Sequence, residues 1–294
     1  MDERDWLTER FEEQRPRLRA VAYRMLGSMA EADDALQEAW LRVARAGATD
    51  VENLGGWLTT IVARVCLNML RSRSTRAEES LEVHVPDPIV GREDENDPEQ
   101  RALMADSVAL AMLVVLETLS PAERLAFVLH DMFAVPFDEI APLVERTPEA
   151  ARQLASRARR RVQGAPVTPD VDLAEQRRVV DAFFSAAHGG DFEALVEVLD
   201  PDVVLHSDGG ALRPVATAVL HGAREVASNA ILFRRWAPYV RPAIVNGVAG
   251  AVAAPQGRPF SVLSFIVRGG RIVEIDVLAD PERLSKLDLT VIED

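Results

Sequence analysis

The segment Glu149–Arg161, EAARQLASRARRR, carries five Arg and one acid, a local charge of +4. On a helical wheel Ala151, Leu154, Ala155, Ala158 and Val162 gather on one side. Glu149, Arg152, Gln153, Ser156, Arg157, Arg159 and Arg160 cover the other. A helix fits the major groove of DNA, and Arg and Gln offer suitable groups to base edges. A second stripe lies upstream. In residues 55–73, Trp57, Thr60, Arg64, Asn68 and Arg71 share a face, with Arg73 just beyond, and no acid intrudes. Arg pairs phosphates, Asn reads a base edge and an aromatic ring stacks on an unpaired base. Taken alone, this stripe fits DNA contact and a mixed solvent face equally well. A third face differs in kind. Asp34, Gln37, Glu38 and Leu41 set one Leu among polar groups, opposite a core side of Leu36, Ala39, Trp40 and Val43. An apolar centre with a charged rim suits protein docking, although an ordinary solvated face has the same composition.

These faces need helices to carry them. Phe11, Leu18, Val21, Ala22 and Met25 repeat with helical spacing until Gly27. Helices are expected at 30–45 and 56–73. The second has Leu58, Ile61, Val62, Val65, Cys66 and Met69 as its apolar face, so Cys66 is expected to be an inert core thiol. Residues 103–118 read as a long apolar helix. Ser120-Pro121-Ala122-Glu123 has the form of a capping box with Pro at the first helical position. Two helices follow, separated by a short turn at Glu145-Arg146, the second capped by Thr147 with Pro148 first inside it. This is helix-turn-helix grammar. After residue 170 helices at 172–188, 191–199 and 223–235 give way to strands. Asn246-Gly247 and Gly269-Gly270 mark two hairpins. Helices followed by antiparallel strands read as α+β.

The whole chain of 294 residues carries −14, which at first argues against nucleic acid. The charge is unevenly placed. Residues 1–76 are neutral, 77–105 carry −7, 106–165 carry −1 and 166–294 carry −6. The acidity therefore belongs to a Pro-containing stretch and the C-terminal part, and a strong affinity for free DNA is not expected. One Cys excludes a disulfide framework and a Cys-based zinc site. No apolar run approaches the ~20 residues of a membrane helix. The charged opening MDERDWLTERFEEQ is unlike a signal peptide. The expectation is a soluble cytoplasmic protein without membrane contact.

In this order the three motifs closely resemble the extracytoplasmic-function group of bacterial sigma-70 factors, across residues 5–163. RAVAYRMLGS with EADDALQEAWLRV resembles the part of region 2 that docks on the β′ clamp helices of core RNA polymerase. The resemblance assigns Asp34, Gln37, Glu38 and Leu41 to that contact. WLTTIVARVCLNMLRSR is similar to the part that melts and reads the −10 element, which turns Trp57, Arg64, Asn68, Arg71 and Arg73 toward promoter DNA. The stretch from LSPAERLAFVLHDMF to RRRV resembles region 4. That puts Glu149, Arg152, Gln153, Ser156, Arg157, Arg159 and Arg160 at the −35 element, with the β flap as a further polymerase partner.

The remaining part resembles the SnoaL-like or ketosteroid-isomerase-like cone that one subgroup carries in place of a separate anti-sigma factor. Two stretches resemble that subgroup's signatures. Asp208-Gly209-Gly210-Ala211-Leu212-Arg213 lacks the usual third Gly and displaces the base. Asp280-Pro281-Glu282-Arg283-Leu284 is a conservative form of the other. Asp208, Gly209, Gly210, Arg213, Asp280, Pro281 and Arg283 are thereby expected to serve a regulatory, interdomain role. Two adjacent glycines independently allow positive φ or close approach of another segment. Val85-Pro86-Asp87-Pro88 resembles the Pro-acid-Pro stretch between regions 2 and 4, and the acidic linker is implied to follow the polymerase's RNA-exit path.

The expected organisation is two all-α domains, region 2 at 1–76 and a region 4 helix-turn-helix at 106–165. An acidic linker at 77–105 separates them, and an α+β SnoaL-like cone follows at 166–294. The function implied is an alternative sigma factor modulated by its C-terminal domain. Two other classes stay open: a polymerase-independent helix-turn-helix regulator, and a ligand-sensing or enzymatic cone protein with a DNA-binding appendage. An isomerase-like site needs a carboxylate base in an apolar cavity. Asp181, His206, Asp208 and Asp276 are the candidates, with Trp236 and Tyr239 near in sequence. Asp276 alternates with Ile275 and Val277, so pattern leaves it facing either cavity or solvent. Fold does not imply activity, and no catalytic residue is assigned. The five His show no metal spacing, and no metal or cofactor is expected. A small ligand in the C-terminal cavity fits the reading.

Overall fold

The computed structural model describes residues 3–46, 53–77, 83–91, 109–163 and 172–289. The chain forms two compact units, Met1–Leu81 with Val115–Gly164, and Glu82–Val114 with Ala165–Asp294.

In the first unit α1 (Glu3–Leu26), α2 (Met29–Ala46) and α3 (Leu54–Ala77) pack pairwise. Phe11, Leu18, Val21 and Met25 of α1 meet Leu36, Ala39 and Val43 of α2, all buried. Gly27 ends α1 at φ 73, a conformation that costs Gly little. α3 is buried more widely than its expected stripe. Ala63, Leu67 and Leu70 are covered as well as Leu58, Val62, Val65 and Cys66, because α3 also packs on a helix of the later segment. Burial raises the Cys66 thiol pKa, which keeps it protonated and unreactive.

The later segment holds α4 (Leu110–Glu117), α5 (Pro121–Phe127), α6 (Phe137–Ile140) and α7 (Pro148–Gln163), with a π-turn at Val128–Met132. Residues 103–108 of the expected first helix lie outside the described residues. The capping box forms: Glu123 N donates to Ser120 Oγ (3.4 Å) and Ser120 N donates to Glu123 Oε2 (3.2 Å). Glu145 turns the chain at φ 57, and Ala150 N donates to Thr147 Oγ1 (3.3 Å) at the start of α7.

The second unit contains α8 (Leu173–Gly189), α9 (Phe192–Val198), α10 (Ala223–Leu232) and α11 (Pro281–Leu284). The expected third helix ends at Leu232, and Arg234–Tyr239 continue as a 3-10 turn containing Pro238. Seven strands run β1 (Val90–Gly91), β2 (Leu199–Asp208), β3 (Ala218–His221), β4 (Val240–Val245), β5 (Val248–Ala253), β6 (Ser261–Arg268) and β7 (Arg271–Leu278). Their spatial order is β1-β4-β5-β6-β7-β2-β3. Asn246-Gly247 and Gly269-Gly270 all have positive φ, which fits the two expected tight hairpins. Two features depart from a simple antiparallel meander. β2 lies parallel to β7, and residues of the expected linker supply the edge strand β1, paired with β4. The helices pack on one side of the sheet around Phe183, Phe184 and Phe265, whose rings meet edge to face at 5.5–5.6 Å.

Candidate nucleic-acid interface and linker clamp

On α2 the expected docking face stands clear of the core. Asp34, Gln37 and Glu38 are exposed beside Leu41, which is 44% exposed although a Leu. On α3, Arg64, Asn68 and Arg71 are exposed and Trp57 is half-buried. Arg73, expected to face the −10 DNA, makes contacts within the unit. Its guanidinium pairs with Glu31 and donates to the Leu26 carbonyl, so it ties the end of α1 to α3.

α7 buries Ala151, Ala155, Ala158 and Val162 and leaves Glu149, Arg152, Gln153, Arg157 and Arg160 exposed; Ser156 and Arg159 are half-buried. Small alanines let the helix sit close to α5 and α6. Its basic face is not uniform. Arg157 Nε donates to Glu123 Oε1 (2.9 Å), and Arg159 Nε donates to Asp131 Oδ1 (2.8 Å). Arg161, which sequence analysis left out of the site, lies 3.7 Å from Glu123 Oε2. Burial pushes the Glu123 carboxyl up, but Arg157, Ser120 and Arg161 outweigh it and hold it below the ordinary range. Arg152 lies over the Phe137 ring at 5.3 Å, which orients it without neutralising it. The face thus splits: Glu149, Arg152, Gln153 and Arg160 near open solvent, Arg157 and Arg159 held by acids of the same unit.

The two DNA-like faces share this unit. Arg71 of α3 lies 3.6 Å from Glu145 in the turn before α7. Arg17 Nη2 donates to the Phe133 carbonyl (3.4 Å). Arg124 Nη1, buried, donates to both the Met25 carbonyl (2.9 Å) and Glu117 Oε1 (2.8 Å). Sequence reasoning missed Arg124 and Glu117. An Arg directly before the apolar run Leu125-Ala126-Phe127 was the available signal.

In the second unit the seven expected regulatory residues come together with residues 84–87. Asp280 caps α11, its Oδ1 accepting from Glu282 N (2.8 Å), with Pro281 first inside the helix. That cap presents Arg283, the hub of the cluster. Its Nε donates to Asp87 Oδ1 (2.6 Å), its Nη1 to Asp208 Oδ2 (2.7 Å) and its Nη2 to the Val85 carbonyl. Asp208 Oδ2 also accepts from Val85 N (3.0 Å), and Oδ1 from Gly210 N (3.0 Å). Burial raises the Asp208 pKa, and hydrogen bonds from His84 and the Val85 amide, with the Arg283 charge, outweigh it; the net shift is downward. A side chain at either glycine would collide with its neighbours. A Cβ on Gly209 would sit 2.1 Å from the Arg213 carbonyl oxygen. One on Gly210, at φ +60, would sit 2.1 Å from Asp280 Oδ2. Arg213, displaced in sequence, still anchors the loop: Nη1 donates to the Phe260 (3.0 Å) and Ala279 (3.1 Å) carbonyls, and its guanidinium covers the Phe260 ring. Asn246 extends the clamp by accepting from Ile89 N (2.9 Å). Residues 83–91 are therefore an irregular segment bound to the C-terminal unit and ending in the two-residue strand β1.

The cavity on the helical side of the sheet measures about 130 Å³ and is lined chiefly by apolar side chains, among them Phe184, Leu205, Ile275 and Val277. None of the four candidate bases lines it among the described residues. Asp276 faces neither cavity nor solvent. It alternates with cavity-lining Ile275 and Val277, so it points to the other side of the sheet, where it is fully buried. Trp236 does line the cavity, and its indole Nε1 is buried without an acceptor among the described residues.

Residues 10–76 match the sigma-70 region 2 family and residues 109–162 match sigma-70 region 4. Over 289 residues, the chain is 36% identical to the ECF RNA polymerase sigma factor SigJ of Mycobacterium tuberculosis, covering 94% of this chain and 92% of that one. It is 34% identical to the probable ECF RNA polymerase sigma factor SigI of the same species, with 98% of each covered. The crystal structure of M. tuberculosis SigJ superposes with a TM-score of 0.76 at 34% identity, covering 96% of this chain and 99% of that one. No described helix is long and apolar enough to cross a membrane. With both sigma regions matched in order and relatives aligned over nearly the full length, the chain belongs to the extracytoplasmic-function RNA polymerase sigma factor family.

Proposed function

We propose that Asp34, Gln37, Glu38 and Leu41 dock on the β′ clamp helices of core RNA polymerase. In the same reading Trp57, Arg64, Asn68 and Arg71 engage the −10 element, and Arg152, Gln153 and Arg160 lead contact with the −35 element. The observation that carries this reading is the open face of α7, with Arg152 and Gln153 exposed above a seam of buried alanines. Arg157 and Arg159 serve as phosphate ligands only after leaving Glu123 and Asp131. Run-off transcription by core polymerase with the full chain tests the assignment. Arg152→Ala should relax −35 discrimination, whereas a phosphate contact should weaken all sequences alike. No promoter-dependent initiation with the native chain would sink the whole reading.

The arrangement of the first unit is a closed one. The −10 and −35 elements lie about 25 base steps apart, or about 85 Å at ~3.4 Å per step. Arg71 and the turn before α7 are in contact. The two faces must separate before both elements are engaged. The C-terminal unit, by holding residues 83–91, shortens the free chain between the two regions and so regulates that opening. This replaces the expected RNA-exit role for residues 83–91, at least in the closed state, and needs no separate anti-sigma factor. The cavity has no described carboxylate or imidazole at its wall, which supports a non-catalytic role. The Trp236 N–H favours a small apolar ligand with one acceptor as an input to the same regulation.

A further inference from the structure

On the sheet face turned away from the cavity, three strands bring together side chains that no sequence spacing connects. β2 and β7 run parallel with His206 beside Asp276, and Glu274 follows two residues away on the same face. His206 Nδ1 lies 3.1 Å from Asp276 Oδ1 and 3.5 Å from Glu274 Oε1, and one donor atom from each of the three falls within 4.8 Å of the others. Both carboxylates are buried, at 3% exposure for Glu274 and 0% for Asp276, while His206 keeps an edge toward solvent. Across β6 and β7, Ser264 pairs with Asp276 and so projects from the same face. Its Oγ is buried with no hydrogen-bond partner among the described residues, and so is Asp276 Oδ2.

We propose that His206, Glu274 and Asp276 form a binding site for one divalent transition-metal ion, with Ser264 as the polar group beside it. Three observations meet here. Donors about 2.0–2.2 Å from a zinc-like ion stand roughly 3.0–3.5 Å from each other, which matches the two His206 separations. Two ionised carboxylates and a neutral imidazole carry −2, which one divalent ion cancels. His206 alone, even protonated, cancels half of it, and burial leaves both carboxylates without water to offset the remainder. The unpartnered Asp276 Oδ2 and Ser264 Oγ are a further acceptor and a hydroxyl at the same place, in a protein interior where nearly every buried polar atom is paired. One imidazole with two carboxylates favours Zn²⁺, Mn²⁺ or Fe²⁺ over the all-oxygen preference of Mg²⁺. The bound ion would tie β2 to β7.

The test uses the full chain after chelator treatment and dialysis, titrated with Zn²⁺ by calorimetry and with Co²⁺ by visible absorption. The expected result is one ion per chain and a rise in thermal midpoint. Asp276→Asn should weaken binding by at least the ~10–100-fold that even outer-shell substitutions produce. Because Asp276 is fully buried, His206→Gln provides a second variant at a partly exposed side chain. Its circular dichroism should match the parent while the Co²⁺ absorption and the Zn²⁺-dependent midpoint shift are lost. Absence of saturable Zn²⁺ binding by the folded parent would overturn the proposal. So would binding that survives both substitutions, or Mg²⁺ competing on equal terms.

Discussion

Arg283 in the C-terminal unit and Arg157 in the helical unit both face carboxylates at hydrogen-bond distance, yet their settings differ. Arg283 is 18% exposed and meets Asp87, a buried Asp208 and the Val85 carbonyl. Arg157 is 50% exposed and meets Glu123 at the margin of α5. A screened surface pair contributes ~0–1 kcal/mol and is exchanged easily for another anion. A buried pair that loses one partner leaves an uncompensated charge and costs ~3–5 kcal/mol. In the proposed reading Arg157 can therefore exchange Glu123 for a phosphate, whereas Arg283 is held more firmly in the linker clamp. The same side chain type makes an exposed, exchangeable pair in one place and a largely buried fastening in the other.

Breaking the buried side should have the largest effect. Arg283→Ala leaves Asp208 buried beside Val85 and should lower the stability of the C-terminal unit by ~3–5 kcal/mol in a urea titration. Hydrogen exchange at the Val85 and Ile89 amides should rise with it; unchanged protection would show that the strand is held by β1–β4 pairing alone. The open face comes next. Arg152→Ala should cost ~1–3 kcal/mol on the preferred −35 sequence in holoenzyme binding and little on a scrambled one. Gly210→Ala combines a left-handed backbone with a collision at Asp280, and should cost ~1–3 kcal/mol of stability by the same urea measurement. The smallest stability effect belongs to the exposed pair. Glu145→Ala should change stability by under ~1 kcal/mol, yet increase run-off transcription by removing this link between α3 and the turn before α7. Equal transcription from this variant and the parent would argue against the closed-state reading.

Acid sharpens the contrast. Asp208 has a lowered pKa in the folded protein, so its contribution is present above the unfolded carboxylate value of about 4. It is lost as pH falls through the lower folded value. Protection of the Val85 amide should accordingly hold from neutral pH to about 4 and decline below it.

The helical half was legible because a helix writes its burial into a 3.6-residue period. Leu36, Ala39 and Val43, the Ser120 capping box and the alanine seam of α7 are all local patterns, and all appear where the spacing puts them. The hairpins at Asn246-Gly247 and Gly269-Gly270 were equally local. Single exposed arginines were harder. Whether Arg73 or Arg159 reaches solvent depends on Glu31 and Asp131, which no periodicity ties to them. For Arg124 the wheel carries only the fact of an Arg among apolar neighbours, not the Met25 carbonyl it meets.

By itself the sequence determined the order of three helical faces, the two hairpins, the concentration of acid outside the Arg-rich helices, and hence the family. Tertiary structure alone decided that 83–91 binds the C-terminal unit and adds Val90–Gly91 to its sheet, that Asp276 turns away from the cavity, and that β2 lies parallel to β7 with His206 beside the Glu274–Asp276 pair. The physical reason is range. Helical periodicity and tight turns are set by neighbours within a few residues. A parallel strand pair and a clamp joining residue 87 to residue 283 are set by burial and charge pairing between segments that meet only when the chain has folded.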